Sequence, residues 1–356
     1  MGCKLIHVFY KKLILSDFIV SSFGKHQLIY CINKAMKKYS LFYFGIVLSF
    51  LQMACSKMGN QEVQIKNSDT LKVLSWNIWH EGHLREYGQQ ACDGVIGVLK
   101  QSTADVILMV ETYGASDQVA DSLGFYHRLL SSNLSIYSRY PIMKTYTFPD
   151  QISTFNFGGV EILYQGRPIR VFATWLHYLP DARCVPTDKS EADILAWDDA
   201  GTRDDEIRTI LTILQPFLAE VDQIPIIMGG DFNIHSHLDW TEATKDLYHH
   251  GGAVVNWTVS KTMESAGFKD SFREINPDPV KNIGTTWMTD ADSLATPNRQ
   301  DRIDYIYYQG KSLQAVSSQC YDNLLGSPFL FEGKKFFYGS DHGFVLTSFQ
   351  VDKPMK

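Results

Sequence analysis

Short apolar runs separated by polar segments recur along the chain from residue 71 onward. They are rich in Val, Ile, Tyr and Phe, and most are bounded by Gly, Pro, Asn or Asp, which is typical of β-strands. This pattern predicts strands at residues 71–76, 105–110, 134–137, 160–164, 169–175, 224–228, 303–308 and 344–349.

Helical periodicity occupies intervals between these strands. Residues 89–100 and 203–218 each place a set of apolar side chains on one face, and residues 257–266 do so more weakly. Pro216 should kink or end the second helix, because proline has no amide hydrogen to donate. Strands and helices that alternate without a repeat or heptad indicate a layered α/β domain, with sheets packed on each other and helices outside.

Two long segments lack any such periodicity. Residues 180–202 are polar and acidic, and residues 289–300 are similar. We predict that both are loops, and loops of this length in a compact domain are usually functional or mobile.

The N-terminal segment has the pattern of an export signal. Met36 is followed by two lysines, and an apolar run over residues 41–54 leads to Cys55. Such a run is too short to cross a bilayer core of about 30 Å. Cleavage before Cys55 would resemble the processing of a bacterial lipoprotein, although Gln52 stands where that signal usually has an aliphatic residue. Plain secretion, an uncleaved anchor and no export are the alternatives.

This interpretation divides the chain into four parts. Residues 1–35 are an expected gene-model extension before the true start at Met36, and residues 36–55 are the signal peptide. Residues 56–70 are a polar tether, and residues 71–350 form the folded domain. We therefore expect a monomeric, exported protein, held by a lipid on Cys55 to the periplasmic or cell-surface face of a bacterial membrane.

Composition and charge narrow the class of partner. With 45% hydrophobic and 20% charged residues, the chain has an ordinary globular composition. After Cys55 there remain 26 basic and 38 acidic residues, a net formal charge of −12. Such a surface does not favour nonspecific nucleic-acid binding, although a bound metal would invert the local field. Cys92, Cys184 and Cys320 show no metal-binding spacing and are expected to be inert thiols.

Polar residues suited to catalysis come at the ends of the apolar strands. A set of carboxylates, amides and imidazoles at one sheet edge is the pattern of a strand-end active site. The residues concerned are Asn77, Glu111, His177, Asp231, Asn233, Asp304, Asp341 and His342.

Each of these residues alone also has an ordinary structural interpretation. Asn77 could end a strand in a turn, and Asp304 could form an ion pair with Arg302. His177 has the weakest case, since a histidine among aromatic residues often packs in a core or at its edge. Their joint occurrence at strand ends is what indicates a catalytic site.

Eight segments of the chain resemble motifs of the endonuclease/exonuclease/phosphatase superfamily, which has the DNase I-like fold. The matching segments are SWNIW (75–79), MVET (109–112), SRYPI (138–142), WLHY (175–178), GGDFN (229–233), GTTW (284–287), RIDYI (302–306) and GSDH (339–342). The resemblance covers residues 71–349 and implies a four-layer αββα sandwich of two packed, mainly antiparallel sheets flanked by helices.

The resemblance also implies roles for the marked residues. Glu111, with Asn77 and Asp341, would hold Mg²⁺ or Mn²⁺, which take oxygen ligands. Asp231 would activate the attacking water, and Asn233 would bond a phosphoryl oxygen. His342 paired with Asp304 would act on the phosphate, with His177 as a second histidine that the family varies. The expected substrate contacts are Arg139, Tyr178 and Trp287.

The implied activity is metal-assisted hydrolysis of a phosphoester by water, on a diester or a monoester. Family resemblance does not settle the substrate. Export and negative charge favour a small, lipid- or glycan-linked phosphoester over nucleic acid. A secreted DNase- or RNase-type nuclease is the alternative, and a non-catalytic surface-binding lipoprotein is a third.

Overall fold

The computed structural model describes residues 70–82, 87–287 and 301–352. The predicted extension (1–35), the signal peptide (36–55) and the loop at 289–300 lie outside the described residues, as does the tether except for Thr70, which opens the first strand. Within the described ranges, no helix combines the length and hydrophobicity needed to cross a bilayer.

The first sheet has six strands in the order β11-β14-β1-β2-β4-β3. Its strands are β1 (Thr70–Asn77), β2 (Val106–Val110), β3 (Tyr126–Leu129), β4 (Ser135–Ser138), β11 (Leu313–Tyr321) and β14 (Phe344–Val351). Only β1 and β2 run parallel, and the other neighbours in this sheet are antiparallel.

The second sheet also has six strands, in the order β5-β6-β7-β8-β10-β9. Its strands are β5 (Ile142–Tyr146), β6 (Phe157–Tyr164), β7 (Arg167–Trp175), β8 (Ile226–Asp231), β9 (Lys269–Asp270) and β10 (Asp304–Gln309). Again one central pair, β7 and β8, is parallel. A separate hairpin pairs β12 (Pro328–Phe331) with β13 (Lys334–Phe337).

Six α-helices lie in the described part of the chain. They are α1 (Gln89–Ser102), α2 (Ser116–Leu123), α3 (Glu191–Asp198), α4 (Arg203–Leu218), α5 (Thr258–Ser265) and α6 (Ser271–Ile275). The amphipathic patterns at 89–100, 203–218 and 257–266 are confirmed as α1, α4 and α5, and Pro216 lies in the last turn of α4.

Alternation along the central strands separates three cores. In β1, Leu71 and Val73 pack between the two sheets, whereas Leu74 and Trp76 face outward into a core with α1 and α2. A third core lies on the outer face of the second sheet, where α4 contributes Ile207 and its apolar neighbours. The predicted four-layer sandwich is therefore confirmed, and the central strands β1, β2 and β8 bury both faces because helices cover the sheets.

The loop prediction for residues 180–202 is wrong in its second half. That stretch contains a short 3₁₀ turn at Ala182–Cys184 and the helix α3, which Ser190 caps by accepting from the amide of Asp193. Only Ile194 and Asp198 of α3 are buried. A helix that buries so few side chains leaves little apolar periodicity in the sequence.

The strand order brings several strand ends to one edge of the sandwich. Parallel β1 and β2 both end there, and antiparallel β14 and β10 begin beside the ends of β1 and β8. Asp304 and Asp231 are register partners in this arrangement. Side chains from both sheets therefore meet at this edge.

Candidate active site

Asn77 joins the two sheets at this edge. Its Nδ2 donates to Glu111 Oε1 at 3.2 Å and to Asp231 Oδ2 at 3.1 Å, while its Oδ1 accepts from the amide of Trp79 at 2.9 Å. Asn77 and Asp231 are each 1% exposed, so this contact is shielded from water. The two carboxylates of the first and second sheets are thus held by one side-chain amide.

Asp231 is held in a fixed orientation by Asn233. The Asn233 amide donates to Asp231 Oδ1 at 2.9 Å, and Asn233 Nδ2 donates to Asp231 Oδ2 at 3.2 Å and to Leu176 O at 2.8 Å. Asn233 has a left-handed φ of 55°, which asparagine tolerates better than most residues. Here Asn233 orients Asp231, and a bond to a phosphoryl oxygen would require one of these contacts to open.

His342 and Asp304 form the second half of the cluster. His342 Nδ1 lies 2.9 Å from Asp304 Oδ2, and His342 Nε2 lies 3.9 Å from Asp231 Oδ2 and 4.0 Å from Asp341 Oδ1. The carboxylate at Nδ1 fixes the tautomer and leaves Nε2 toward Asp231 and Asp341.

The ionisable groups of this cluster lie close together in a buried environment, so each affects the pKa of the others. Burial and the neighbouring Asp304 raise the pKa of Asp231, and burial also raises the pKa of Asp304. Burial alone would lower the pKa of His342, but the carboxylates of Asp304, Asp341 and Asp231 raise it to about 10. The carboxylates therefore favour the protonated form of the His342 imidazole, which lies beside Asp231, a candidate base.

Residues outside the predicted set hold this geometry. Thr286 Oγ1 accepts from the amides of Ile303 and Asp304, both at 3.0 Å. Ser340 Oγ donates to Asn77 O at 2.7 Å and accepts from the His342 amide at 3.0 Å. Asn133 Oδ1 accepts from the Glu111 amide at 2.9 Å and holds that residue at a φ of 56°.

These supporting residues differ in how strongly the sequence marks them. Thr286 and Ser340 lie inside segments already marked as motifs, GTTW and GSDH, so that signal could have found them. Asn133 follows two serines in a turn and has only the bland signature of a loop residue.

His177 lies beside the cluster, at the end of β7. Its amide donates to Glu206 Oε2 at 2.8 Å, and its Nδ1 accepts from the Leu179 amide at 3.2 Å. Trp175, two residues earlier, is the register partner of Asp231. The side chain is half-buried, and within the described residues no hydrogen bond joins it to the carboxylates of the cluster.

Arg203, at the start of α4, ties the His177 segment to Asn233. Its guanidinium donates to Asn233 O at 2.8 Å, Pro180 O at 2.7 Å and His177 O at 3.3 Å. It is fully buried with Asp198, at 2.7 Å. Burial raises the pKa of Asp198 to about 6, while the Arg203 charge opposes the rise. The guanidinium of Arg203 therefore ties the backbone of the His177–Pro180 segment to that of Asn233.

We expect Arg203→Met to lower the free energy of unfolding by about 3–5 kcal/mol, because it leaves Asp198 as a buried carboxylate without its partner. Chemical denaturation measures this change. Arg208→Met, which removes an exposed ion pair from the same helix, is the matched control and should change stability by about 1 kcal/mol or less. Equal effects of the two substitutions would contradict the clamp role of Arg203.

The structure places two of the three expected substrate contacts near the site and the third far from it. Trp287 lies at the site, with its ring 6.0 Å from that of His342, and Tyr178 is exposed at the rim against His177 at 4.9 Å. Arg139 instead pairs with Asp105 at 3.1 Å, before the start of β2, whereas Glu111 follows the end of that strand. Arg139 is therefore at the opposite edge of the sheet, and we leave it out of the site.

The donor set fits a hard divalent cation. Glu111 and Asp341 are only partly buried, and both offer carboxylate oxygens next to the buried group of Asp231, Asp304 and His342. Asn77 would have to turn its amide to offer an oxygen, since its nitrogen faces the carboxylates. Glu111 and Asp341 are thus the candidate ligands whose carboxylates lie at the border of the buried group.

Comparison with known proteins decides the family. Residues 74–342 match the Endonuclease/Exonuclease/phosphatase family. The chain belongs to this family. Its enzymes hydrolyse phosphoester bonds and generally use a divalent metal.

Several individual proteins resemble this family member. An uncharacterised protein of Caenorhabditis elegans is 28% identical over 292 residues, covering 74% of this chain and 85% of that protein. A Danio rerio TDP2 structure, complexed with a single-strand DNA product, is 14% identical, covers 80% and 100% of the two chains, and has a TM-score of 0.51. An AP endonuclease from Archaeoglobus fulgidus is 17% identical, with coverage of 79% and 100% and a TM-score of 0.51. These two structures share the fold.

Proposed function

We propose that this protein is an exported, Mg²⁺- or Mn²⁺-dependent phosphoesterase that hydrolyses a small, lipid- or glycan-linked phosphoester and acts as a monomer. The observation that carries the proposal is the buried contact chain from Glu111 through Asn77 and Asp231 to His342 and Asp304. This chain supports the proposal because a carboxylate that can accept a proton lies beside an imidazole in a largely buried site, where preorganised charges act most strongly.

The chain's own residues divide the chemistry between them. Asp231, whose raised pKa suits proton transfer near neutral pH, would orient and deprotonate the attacking water. His342 would donate a hydrogen bond from Nε2 to a phosphoryl oxygen while Asp304 holds its Nδ1. As the ester P–O bond breaks, the leaving oxygen would take up the proton that Asp231 removed from the water. A cation bound by Glu111 and Asp341 would neutralise the phosphate charge. No covalent intermediate is required.

Charge near the site supports a small ester over nucleic acid. The arginines Arg203 and Arg302 are buried in ion pairs with aspartates, so they offer no charge to a phosphate backbone. Arg183 lies over the Trp287 ring at 5.2 Å but is paired with Asp181 at 2.6 Å. A protein that follows a nucleic-acid backbone uses several available cations.

A nuclease is the second candidate function. The TDP2 structure with its single-strand DNA product and the AP endonuclease share this fold, which supports it. A panel of DNA, RNA, sphingomyelin, phosphoinositides and sugar phosphates, assayed with the same metal, separates the two candidates. Faster hydrolysis of DNA or RNA than of the other substrates would make the nuclease the preferred candidate.

Metal dependence has a direct test. With bis(4-nitrophenyl) phosphate as substrate, EDTA should abolish hydrolysis, and Mg²⁺ or Mn²⁺ should restore it. Glu111→Gln should raise the metal concentration for half-maximal rate by about 10-fold or more, since it removes an anionic ligand. Glu264→Gln, on the surface of α5, is the control. A wild-type protein inactive on the whole panel would favour a non-catalytic binding lipoprotein.

The proposed lipid anchor is tested separately from the activity. Export with a lipid on Cys55 predicts that radioactive palmitate labels the protein expressed in a bacterial host. Cys55→Ala should lose the label, while Cys184→Ala should keep it. Label that persists in Cys55→Ala would contradict the anchor and leave the phosphoesterase proposal standing.

A further inference from the structure

Strand order places aromatic side chains on two sides of the Asp231 cluster. Along the edge of the first sheet, His342 precedes β14, Asn77 ends β1 and Glu111 follows β2, with β1 in the middle. Adjacent strands are about 4.8 Å apart, so the His342 and Glu111 sides are separated by about 10 Å. Trp287 accompanies His342 on one side, and His80 and Tyr113 accompany Glu111 on the other.

On the Glu111 side, two rings form a stacked surface. The rings of His80 and Tyr113 lie 5.7 Å apart with an interplanar angle of 19°, and Trp79 lies 5.5 Å from His80. The amide of His80 donates to Glu111 Oε2 at 3.2 Å, which ties this surface to a candidate metal ligand. His80 is exposed, while Trp79 and Tyr113 are half-buried, so the rings are available to a ligand.

The backbone around these rings is strained. Trp79, His80 and Glu81 have φ values of 42°, 47° and 72°, and Tyr113 has 38°. Residues other than glycine rarely adopt positive φ, and such residues cluster where function requires them. The Glu81 amide, which donates to Glu111 O at 2.9 Å, helps to hold the turn. The contact between His80 and Glu111 is therefore maintained by a backbone conformation that is unfavourable for these residues.

On the other side, the ring of Trp287 lies next to the ring of His342. Its backbone bridges to both His342 and Asp301, which fixes its position, and its side chain is half-buried. The Arg183 guanidinium lies over its ring at 5.2 Å. This ring faces the site independently of the His80–Tyr113 pair.

We propose that the substrate is a phosphodiester, and that the substituent on the Glu111 side carries a planar or sugar ring that stacks on the His80–Tyr113 pair. A phosphate bound at Asp231 has an aromatic surface on each side. A diester has a substituent for each surface, whereas a monoester has one substituent and leaves one surface without a contact. This inference rests on the proposed phosphoesterase function.

The test compares two diesters, bis(4-nitrophenyl) phosphate and methyl 4-nitrophenyl phosphate, with the monoester 4-nitrophenyl phosphate. The wild type should prefer the bis-aryl diester to the monoester. His80→Ala and Tyr113→Leu should each lower kcat/KM for the bis-aryl probe by about 10-fold, the range of single-ring stacking. Both should change the rates on the other two probes by about 2-fold or less. Tyr126→Leu, an exposed tyrosine at the opposite end of the sheet, is the matched control.

A binding measurement separates this inference from the proposed function. Calorimetry with Asp231→Asn should show the same selective weakening when His80→Ala is added, with bis(4-nitrophenyl) phosphate as titrant. A wild type that prefers the monoester, or variants that weaken all three probes equally, would overturn the inference while leaving the phosphoesterase in place. No hydrolysis and no binding of any probe would overturn both.

Discussion

Replacing Asp231 with asparagine is expected to lower kcat by about 10²–10⁴-fold, the usual contribution of a positioned general base. The substitution keeps the volume of the side chain but removes its proton-accepting charge. Asp231 accepts hydrogen bonds from Asn77 and Asn233, and burial raises its pKa. The loss should therefore fall on kcat, with a smaller change in KM.

The same substitution should leave the fold intact. Replacing a buried carboxylate with a neutral amide relieves the desolvation cost, which offsets the poorer match of its amide nitrogen to the donors of Asn77 and Asn233. Thermal unfolding followed by circular dichroism should show a midpoint within a few degrees of the wild type, about 1 kcal/mol or less. Asp222→Asn, in a surface ion pair with Lys311, is the control. Activity within about 10-fold of the wild type would remove Asp231 from the role of base.

Substitutions of His342 and Asp304 should be strongly non-additive. His342→Asn and Asp304→Asn are each expected to lower kcat by about 10²-fold or more, because the carboxylate acts only through the imidazole. The double variant should then be no slower than the slower single variant. Steady-state kinetics on the four proteins measure the coupling, with His249→Asn, an exposed histidine, as control.

The pH profile gives this pair a second readout. Because the carboxylate of Asp304 raises the pKa of His342, its removal should lower that pKa. Activity that needs the imidazolium is lost as pH rises through this pKa, so the alkaline limb of kcat should move to lower pH in Asp304→Asn. Additive losses with an unmoved alkaline limb would contradict the assigned pairing.

Most of the fold could be predicted from local patterns. The eight predicted strands correspond to β1, β2, β4, β6, β7, β8, β10 and β14, since buried central strands need continuous apolar runs. The sequence pattern missed strands such as β3 and β11, which are the outermost strands of the first sheet and expose some of their residues to water. Exposure relaxes the requirement for apolar side chains, so edge strands leave a weaker signal.

The sequence by itself identified which side chains could do chemistry, because the buried apolar strands are bounded by polar residues, and these boundaries carry Glu111, Asp231 and Asp304. Only the tertiary structure decided which of these side chains contact one another. The pairing of the strands placed Arg139 at the end of the sheet opposite the site, and it placed His80 beside Glu111. The buried Arg203 fixed the backbone of Asn233 through a hydrogen bond to its carbonyl oxygen. Spacing along the chain encodes periodicity, whereas these contacts depend on pairing between strands distant in sequence. The motifs therefore indicate the phosphoester chemistry, whereas the aromatic side chains on two sides of the site become apparent only in the fold.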